Sequence, residues 1–429
     1  MQTRQAWIER CSGVLKGNLP DRSALEKLPY RYTCPAREKG TYLPQWLWDS
    51  CFHAIVYRWF DPGMAWEELQ SLFVHQLDEG PDAGMVPHMS HLEENGAVAA
   101  QRLFGQRDCS TITQPPLISV AALAVHQRAP DRGILARLYP KLRAYHDWFD
   151  RRRDDDHDNL VAIIHPWESG WDASQRWDGL MGLHPRGAAG LRALEQRRKD
   201  LVALCAAQGY DAQRLAQVPG GFYVEPADFN AIRTADLMAL AEIADELQEA
   251  SEAEELEARA RAVRQAVHDK MVSFENGELR AHDLLGAAEE KSSVDHAGTF
   301  VLMFGQCLSR AEADTISTRL LDPVGAFATP YKVASTSRFD PLFDPGEYWR
   351  GNVWLSLNWL VWRSLLAYGR ADAAAVIVRD SLALVEKSGF CEFFNPLTGG
   401  PGEKYGRSCP EHQSWSTIIL DMLQGTADE

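Results

Sequence analysis

The sequence predicts an all-α chain whose helices pair into a toroid, and three observations carry the prediction. Apolar residues recur at spacings of three and four through most of the chain, the period of a helix with one buried face. Strand signals are weak, because β-branched runs are short and no Asn-Gly or Asp-Gly pair reads as a hairpin between alternating segments. No Pro/Gly/Ser-rich linker divides the 429 residues, so 1–429 reads as one domain, long enough to bury a sizeable core.

A first helix is expected over 4–17, a second over 49–59 and a third over 62–78, where Trp66, Leu69, Phe73 and Leu77 line one face opposite acidic residues. Helices over 116–127, 133–151 and 191–208 follow. The Ala-, Glu- and Leu-rich stretch 233–271 reads as two helices or one long one, and its heptads lapse after one or two turns, which argues against a coiled coil. The series closes with 297–307, 310–321, 351–368, 371–387 and 413–424. Glycine, proline and tryptophan gather in long connecting loops, where function concentrates.

Composition narrows the function classes. Hydrophobic residues make up 45% and charged ones 24%, the balance of a water-soluble globular chain. The N-terminal segment has no apolar signal region, and no stretch approaches the roughly 18–20 apolar residues of a membrane span. A cytoplasmic protein with no membrane partner is expected. A net charge of −16 with no basic stripe repels phosphate backbones, so no nucleic acid partner is expected. Cysteines at 11, 34, 51, 109, 205, 307, 391 and 409 form no CxxC pair and no zinc spacing. The acidic run "DRRRDDDHDN" over 150–159 lacks the Gly-centred spacing of an EF-hand and reads as a solvated turn. No metal and no cofactor are expected, and a homo-oligomer is compatible with the sequence.

Four loop stretches stand apart from the helical background: "TYLPQWLWDSCFH" (41–53), "DAGMVPHM" (82–89), "HPWESGWDASQRWD" (165–178), and "EYWRGNVW" (347–354) with "CEFFNPLTGG" (391–400) and "HQSWS" (412–416) downstream. Each combines aromatic rings with polar groups, which is what a sugar requires: C–H bonds stack on rings while hydroxyls take polar partners. Cleaving a glycosidic bond then needs two carboxyl groups, one protonated to donate to the leaving oxygen and one ionised. Apolar surroundings keep a carboxyl protonated by disfavouring its charge. Asp172, between Trp171 and Trp177 in the chain, fits the acid, with Glu168 as local competitor and a helix cap as the alternative role for Asp172. For the second carboxylate the C-terminal loops offer Glu347, Glu392, Glu403 and Glu411; Glu392 alone is flanked by Cys391 and Phe393-Phe394.

In order from about residue 41 to 420, "WLWDSCFHA", "MVPHM", "PWESGWDAS", "YWRGNVW", "EFFNPLTGG" and "HQSWS" together resemble glycoside hydrolase family 63, which is similar to the trehalases and other (α/α)6-barrel glycosidases. The resemblance implies an (α/α)6 barrel with long catalytic loops at one end and an inverting α-glycosidase. The small bacterial members of this length imply 2-O-α-mannosyl- or glucosyl-glycerate as substrate. Motif by motif it implies Asp172 as general acid, Glu392 as general base and Asp49 as the group holding the sugar in the −1 subsite. Trp46, Trp48, Trp167, Tyr348, Trp349, Trp354, Gln413 and Trp415 fall where the family lines that pocket, with Tyr42 and Gln114 on the aglycone side; His88 and Arg350 lie in the same motifs. The run "GEKYGRSCPEHQSWS" is longer and more charged than the family's, which leaves Glu403 and Glu411 open as bases.

Inversion needs room for a water, with the carboxyl groups about 6.5–9.5 Å apart. A glycerate would also need a cation, for which Arg176, Arg350, Lys404 and Arg407 are candidates. Mannose and glucose are not distinguished. Two other readings stand beside the hydrolase: a sugar 2-epimerase or isomerase using His53, His88 or His165, and a sugar-binding helical protein without activity.

Overall fold

The structure, a computed structural model, describes residues 3–20, 29–37, 42–90, 101–106, 108–275, 277–404, 406–409 and 411–425. In chain order the elements are α1 (Arg4–Gly17), β1 (Gln45–Trp46), α2 (Leu47–Tyr57), α3 (Pro62–Ser71), β2 (Met89–Ser90), α4 (Ile118–Arg128), α5 (Arg132–Arg152), α6 (Gly187–Ala207), α7 (Ala212–Gln217), β3 (Val224–Glu225), α8 (Ala227–Glu246), α9 (Ala250–Ala266), β4 (Val272–Glu275), β5 (Glu278–Ala281), β6 (Leu284–Leu285), β7 (Glu290–Lys291), α10 (Arg310–Leu321), α11 (Leu355–Ala367), α12 (Ala371–Ser388), β8 (Glu403–Lys404), β9 (Arg407–Ser408) and α13 (Ile419–Gly425). One compact unit holds 1–152, 235–260 and 412–429, the other 153–234 and 261–411.

In the first unit every residue of α2 is buried, as an inner helix apolar around its whole circumference must be. It pairs with α3, which starts where Asp61 caps the Met64 N–H at 3.1 Å and Pro62 presets the first turn. Asp236 accepts from Val120 N at 2.9 Å and Ser119 Oγ at 3.0 Å, at the start of α4, and lies 3.0 Å from His146 Nε2. A carboxylate there meets the orphan N–H groups and positive end of the helix dipole. In the second unit the same inner and outer pattern recurs. Helix α11 is buried along nearly its whole length, whereas α12 buries Ala373, Ala374, Ile377, Asp380, Ser381, Leu384 and Val385 at spacings of three and four. Helix α10 opens on a reciprocal capping box between Ser309 and Glu312. The all-α class and its paired helices are those the sequence predicts.

Three expectations need correction, and one left open is decided. The helix expected over 62–78 ends at Ser71, because Leu77 leaves it to exchange backbone hydrogen bonds with Met85 and Gly84. The stretch 233–271, open between two helices and one, is two, α8 and α9, divided where Gln248 adopts a left-handed φ of 68°. The helix expected over 297–307 is a single turn, Gly298–Val301: Gly305 packs so closely on Ala231 that a Cβ there would lie 2.4 Å from its carbonyl oxygen. Strands β4 and β5 form an antiparallel hairpin from Val272↔Ala281 to Glu275↔Glu278. The alternating "VSFE" and "ELRA" around an Asn-Gly pair are its signal.

Candidate active site

The second unit holds Asp172 and Glu392. The loop 165–178 folds first on itself. His165 begins a 3-10 turn over Pro166–Ser169, its Nδ1 accepting from Trp167 N at 3.1 Å, and Gly170 ends the turn with φ 75°. His165 Nε2 reaches Arg198 O at 2.9 Å, which fixes the tautomer with the proton on Nε2. Burial pushes that imidazole down to about 3, so it stays neutral.

The loop carries four charged side chains, and three are closed by buried forks. Glu168 takes Arg153 at 2.7 and 2.8 Å and the Ile164 N–H at 2.7 Å. Arg176 holds Asp283 at 2.5 and 2.9 Å and Asp228 at 2.6 and 3.1 Å, with its guanidinium 5.0 Å from the Trp171 ring centroid. Asp178 accepts Arg350 at 2.6 and 2.9 Å. Such pairs fix geometry, since removing one partner strands the other charge at a cost of about 3–5 kcal/mol. Asp172 is the fourth. Its carboxyl accepts the Tyr348 hydroxyl at 3.3 Å, and its backbone carbonyl is gripped by Arg198 Nη1 at 2.5 Å. Although half-buried, it sits in packing tight enough that desolvation raises its pKa, against the opposing fields of Arg198 and Lys404.

Glu392 is 3% exposed, whereas Glu403 and Glu411 are both exposed. Asp172 and Glu392 are the chain neighbours of the two ends of one aromatic column. Trp171 stacks on Trp349 (centroids 4.8 Å apart), Trp349 on Trp354 (3.7 Å) and Trp354 on Phe393 (4.5 Å). Tyr348 meets Trp354 and Phe393 edge-on at 5.2 and 5.4 Å. Backbone bonds fasten the column: Val353 pairs reciprocally with Phe394 at 2.8 and 2.9 Å, and Tyr348 N donates to Glu403 O at 2.9 Å. Gly402 is required here, because a Cβ would come 2.2 Å from the Phe393 ring. Tyr348 holds φ 35°, a strained value for a non-glycine residue that recurs at functional sites. Lys404 Nζ lies 4.0 Å from the Tyr348 ring centroid. Trp167 rests against His165 at 4.5 Å.

The first unit gathers the remaining candidates around the start of α2. Strand β1 pairs with β2 through Trp46↔Met89, and Leu47 N donates to His88 O at 3.0 Å. Trp46 is met edge-on by Tyr42 at 6.1 Å and His88 at 5.3 Å. Gln114 Oε1 accepts from Trp48 N at 3.3 Å, and Trp48 meets Trp415 edge-on at 6.0 Å. Asp49 and Gln413 are buried beside these tryptophans in the chain. Residues 413–415 are tied to α2 by Ser414 Oγ, 2.5 Å from His53 Nε2, and His53 Nδ1 lies 3.2 Å from Glu68.

Of the four candidate cations, Arg176 and Arg350 are spent on carboxylates, Arg407 is exposed in the β8–β9 hairpin, and Lys404 lies over Tyr348. Sequence reasoning misses Arg198 and Phe393. Arg198 stands in "EQRRKD", an ordinary charged helix face, and gives no signal; Phe393 carries one, as the apolar neighbour of Glu392.

A family model described as the mannosylglycerate hydrolase MGH1-like glycoside hydrolase domain matches residues 42–416. The chain is 34% identical to a mannosylglycerate hydrolase of Thermus thermophilus, over 90% of this chain and 95% of that one. It superposes on the crystal structure of a glycoside hydrolase family 63 mannosylglycerate hydrolase from Thermus thermophilus, in complex with Tris and D-glycerate, with a TM-score of 0.83 and 29% identity, over 97% of this chain and 100% of that one. The chain belongs to glycoside hydrolase family 63. The family-63 chain is a glycoside hydrolase with the (α/α)6-barrel fold. It is also 28% identical to a glucosylglycerate hydrolase of Mycolicibacterium hassiacum, over 89% of this chain and 92% of that one. The epimerase and inactive-binder readings give way to this family. Among the described residues no helix is long and apolar enough to cross a membrane.

Proposed function

We propose that the chain, acting as one catalytic domain, hydrolyses 2-O-α-mannosyl- or glucosyl-glycerate with inversion, Asp172 serving as general acid and Glu392 as general base. The observation that carries this reading is the isolation of Asp172. Alone among the charged side chains of 165–178 it has no ionic fork among the described residues, and desolvation raises its pKa. Held protonated, it donates to the glycosidic oxygen while Glu392 takes a proton from the attacking water. The column from Trp171 to Phe393 braces the chain neighbours of both residues through ring contacts. In the first unit, Asp49 and Gln413 amid Trp46, Trp48 and Trp415 have the polar and apolar mixture that hexose hydroxyls and C–H faces demand.

A glycerate carboxylate beside Asp172 would meet the field of Lys404 and that of Arg198, the latter already paired with Glu195 at 2.5 Å. Incubation with α-mannosylglycerate, α-glucosylglycerate and trehalose tests the substrate class. Rapid release of hexose from at least one glycosylglycerate, at a kcat/KM about a hundredfold or more above that for trehalose, is expected from a site built to pair a carboxylate. Equal turnover of all three, or trehalose alone, would rule out an anionic aglycone.

A further inference from the structure

The run 154–160 is a turn in which Asp156, His157 and Asn159 are exposed while Asp154 and Leu160 are buried. Asp154, Asp156 and Asp158 alternate along it, and one carboxylate oxygen from each lies within 4.8 Å of the others. His157 and Asn159 adopt left-handed φ values of 61° and 75°, so the chain turns tightly here. Asp158 N donates to Asp154 Oδ1 at 3.0 Å and Leu160 N to Asp158 Oδ1 at 2.7 Å. Asp158 also belongs to a second triad: its oxygen, one of Glu225 on β3 and one of Glu289 between β6 and β7 again lie within 4.8 Å of one another.

Glu225 is the independent observation. It is wholly buried, its Oε1 takes the Tyr223 hydroxyl at 3.2 Å, and its Oε2 has no hydrogen-bond partner among the described residues. Tyr223 divides its hydroxyl with Asp155 at 3.0 Å. The nearby ammonium of Lys270 is engaged with Asp158 at 2.5 Å and with both oxygens of Glu289 at 2.9 Å. A buried carboxylate oxygen with no protein donor is costly, and here it joins two further carboxylates. A divalent cation supplies the missing partner. Carboxylate-only ligation selects a hard ion, and Ca–O distances of about 2.3–2.6 Å let one ion bridge oxygens that far apart.

We propose that Asp158, Glu225 and Glu289, completed by Asp154 and Asp156, form a calcium site in which the metal displaces the ammonium of Lys270. It shares no ligand with Asp172 or Glu392. The ion would tie the segment leading into loop 165–178 to β3, itself joined to that segment through the Ile163–Val224 backbone pair at 2.7 and 3.1 Å. Its effect is therefore on stability.

Full-length enzyme stripped with a chelator and titrated with CaCl2 by calorimetry and thermal melting tests this. One calcium per chain and a rise in Tm are expected, absent with MgCl2 at equal ionic strength. Glu225→Gln, which keeps the shape but removes the charge, should weaken calcium affinity about a hundredfold while hexose release stays unchanged. Lys270→Met should tighten it, because the competing internal cation is gone. No heat and no Tm change up to about 10 mM calcium, an equal response to magnesium, or undiminished affinity in Glu225→Gln would overturn the proposal. If Glu225→Gln does not fold, unaltered affinity in Lys270→Met overturns it instead.

Discussion

Replacing Asp172 with Asn lowers kcat on a glycosylglycerate about a thousandfold, equivalent to about 4 kcal/mol of transition-state stabilisation, without unfolding the chain. The alkoxide leaving from a natural glycoside needs a proton as the bond breaks, and Asn has none to give. An α-glycosyl fluoride departs without protonation, so the variant should hydrolyse that substrate within about tenfold of the wild-type rate. Asp172 also predicts a pH dependence. Because burial raises its pKa, the protonated, active form persists above the ordinary carboxylate range, and kcat/KM falls on the alkaline side as pH climbs through the raised value. The sign for stability follows from the same shift. Between its unfolded and folded pKa values the native state binds the extra proton, so rising pH across that window costs stability. Asp172→Asn escapes that loss and should melt no lower than the wild type at neutral pH; a clear drop in its Tm would instead mark Asp172 as a structural residue.

Replacing Glu392 with Ala should be equally damaging, about a thousandfold in kcat, if Glu392 rather than the other buried candidate, Glu347, is the base. Glu403 and Glu411 are exposed in the hairpin region, whereas Glu392 is buried next to the column-ending Phe393. The cavity left by truncation admits a small anion where the water stood. Azide should therefore restore turnover of the α-glycosyl fluoride and yield the β-glycosyl azide. Rescue giving the α-azide would place the nucleophile on the wrong face, and a small effect of Glu392→Ala beside a large one of Glu411→Ala would move the base to Glu411.

The helices are legible in the sequence where local chemistry alone decides them. Helix α10 runs over the expected 310–321 because its capping box is written in residues three apart, Ser309 and Glu312. Legibility fails where a distant partner takes over, as when Met85 and Gly84 draw Leu77 out of a helix or Ala231 crowds Gly305. The site shows the same division. Asp172 and Glu392 stand out because each neighbours aromatic residues in the chain, a local signal. What separates Asp172 from Glu168 is not local: Arg153 closes Glu168, and nothing in "HPWESGWD" reveals that arginine. Arg350 is legible as a motif residue, but its role against Asp178 depends on a contact 172 positions away.

At the centre of the proposed mechanism is a single displacement, by a water activated at Glu392 on a leaving group protonated at Asp172. Proton NMR of the hexose in the first moments of hydrolysis, before mutarotation, reads that displacement without intermediaries. Inversion requires that the β-anomer appear first and that the α-anomer grow in only as the sugar equilibrates. If the α-anomer appears first, the reaction retains configuration, one carboxylate must attack the sugar directly, and the roles assigned to Asp172 and Glu392 are wrong.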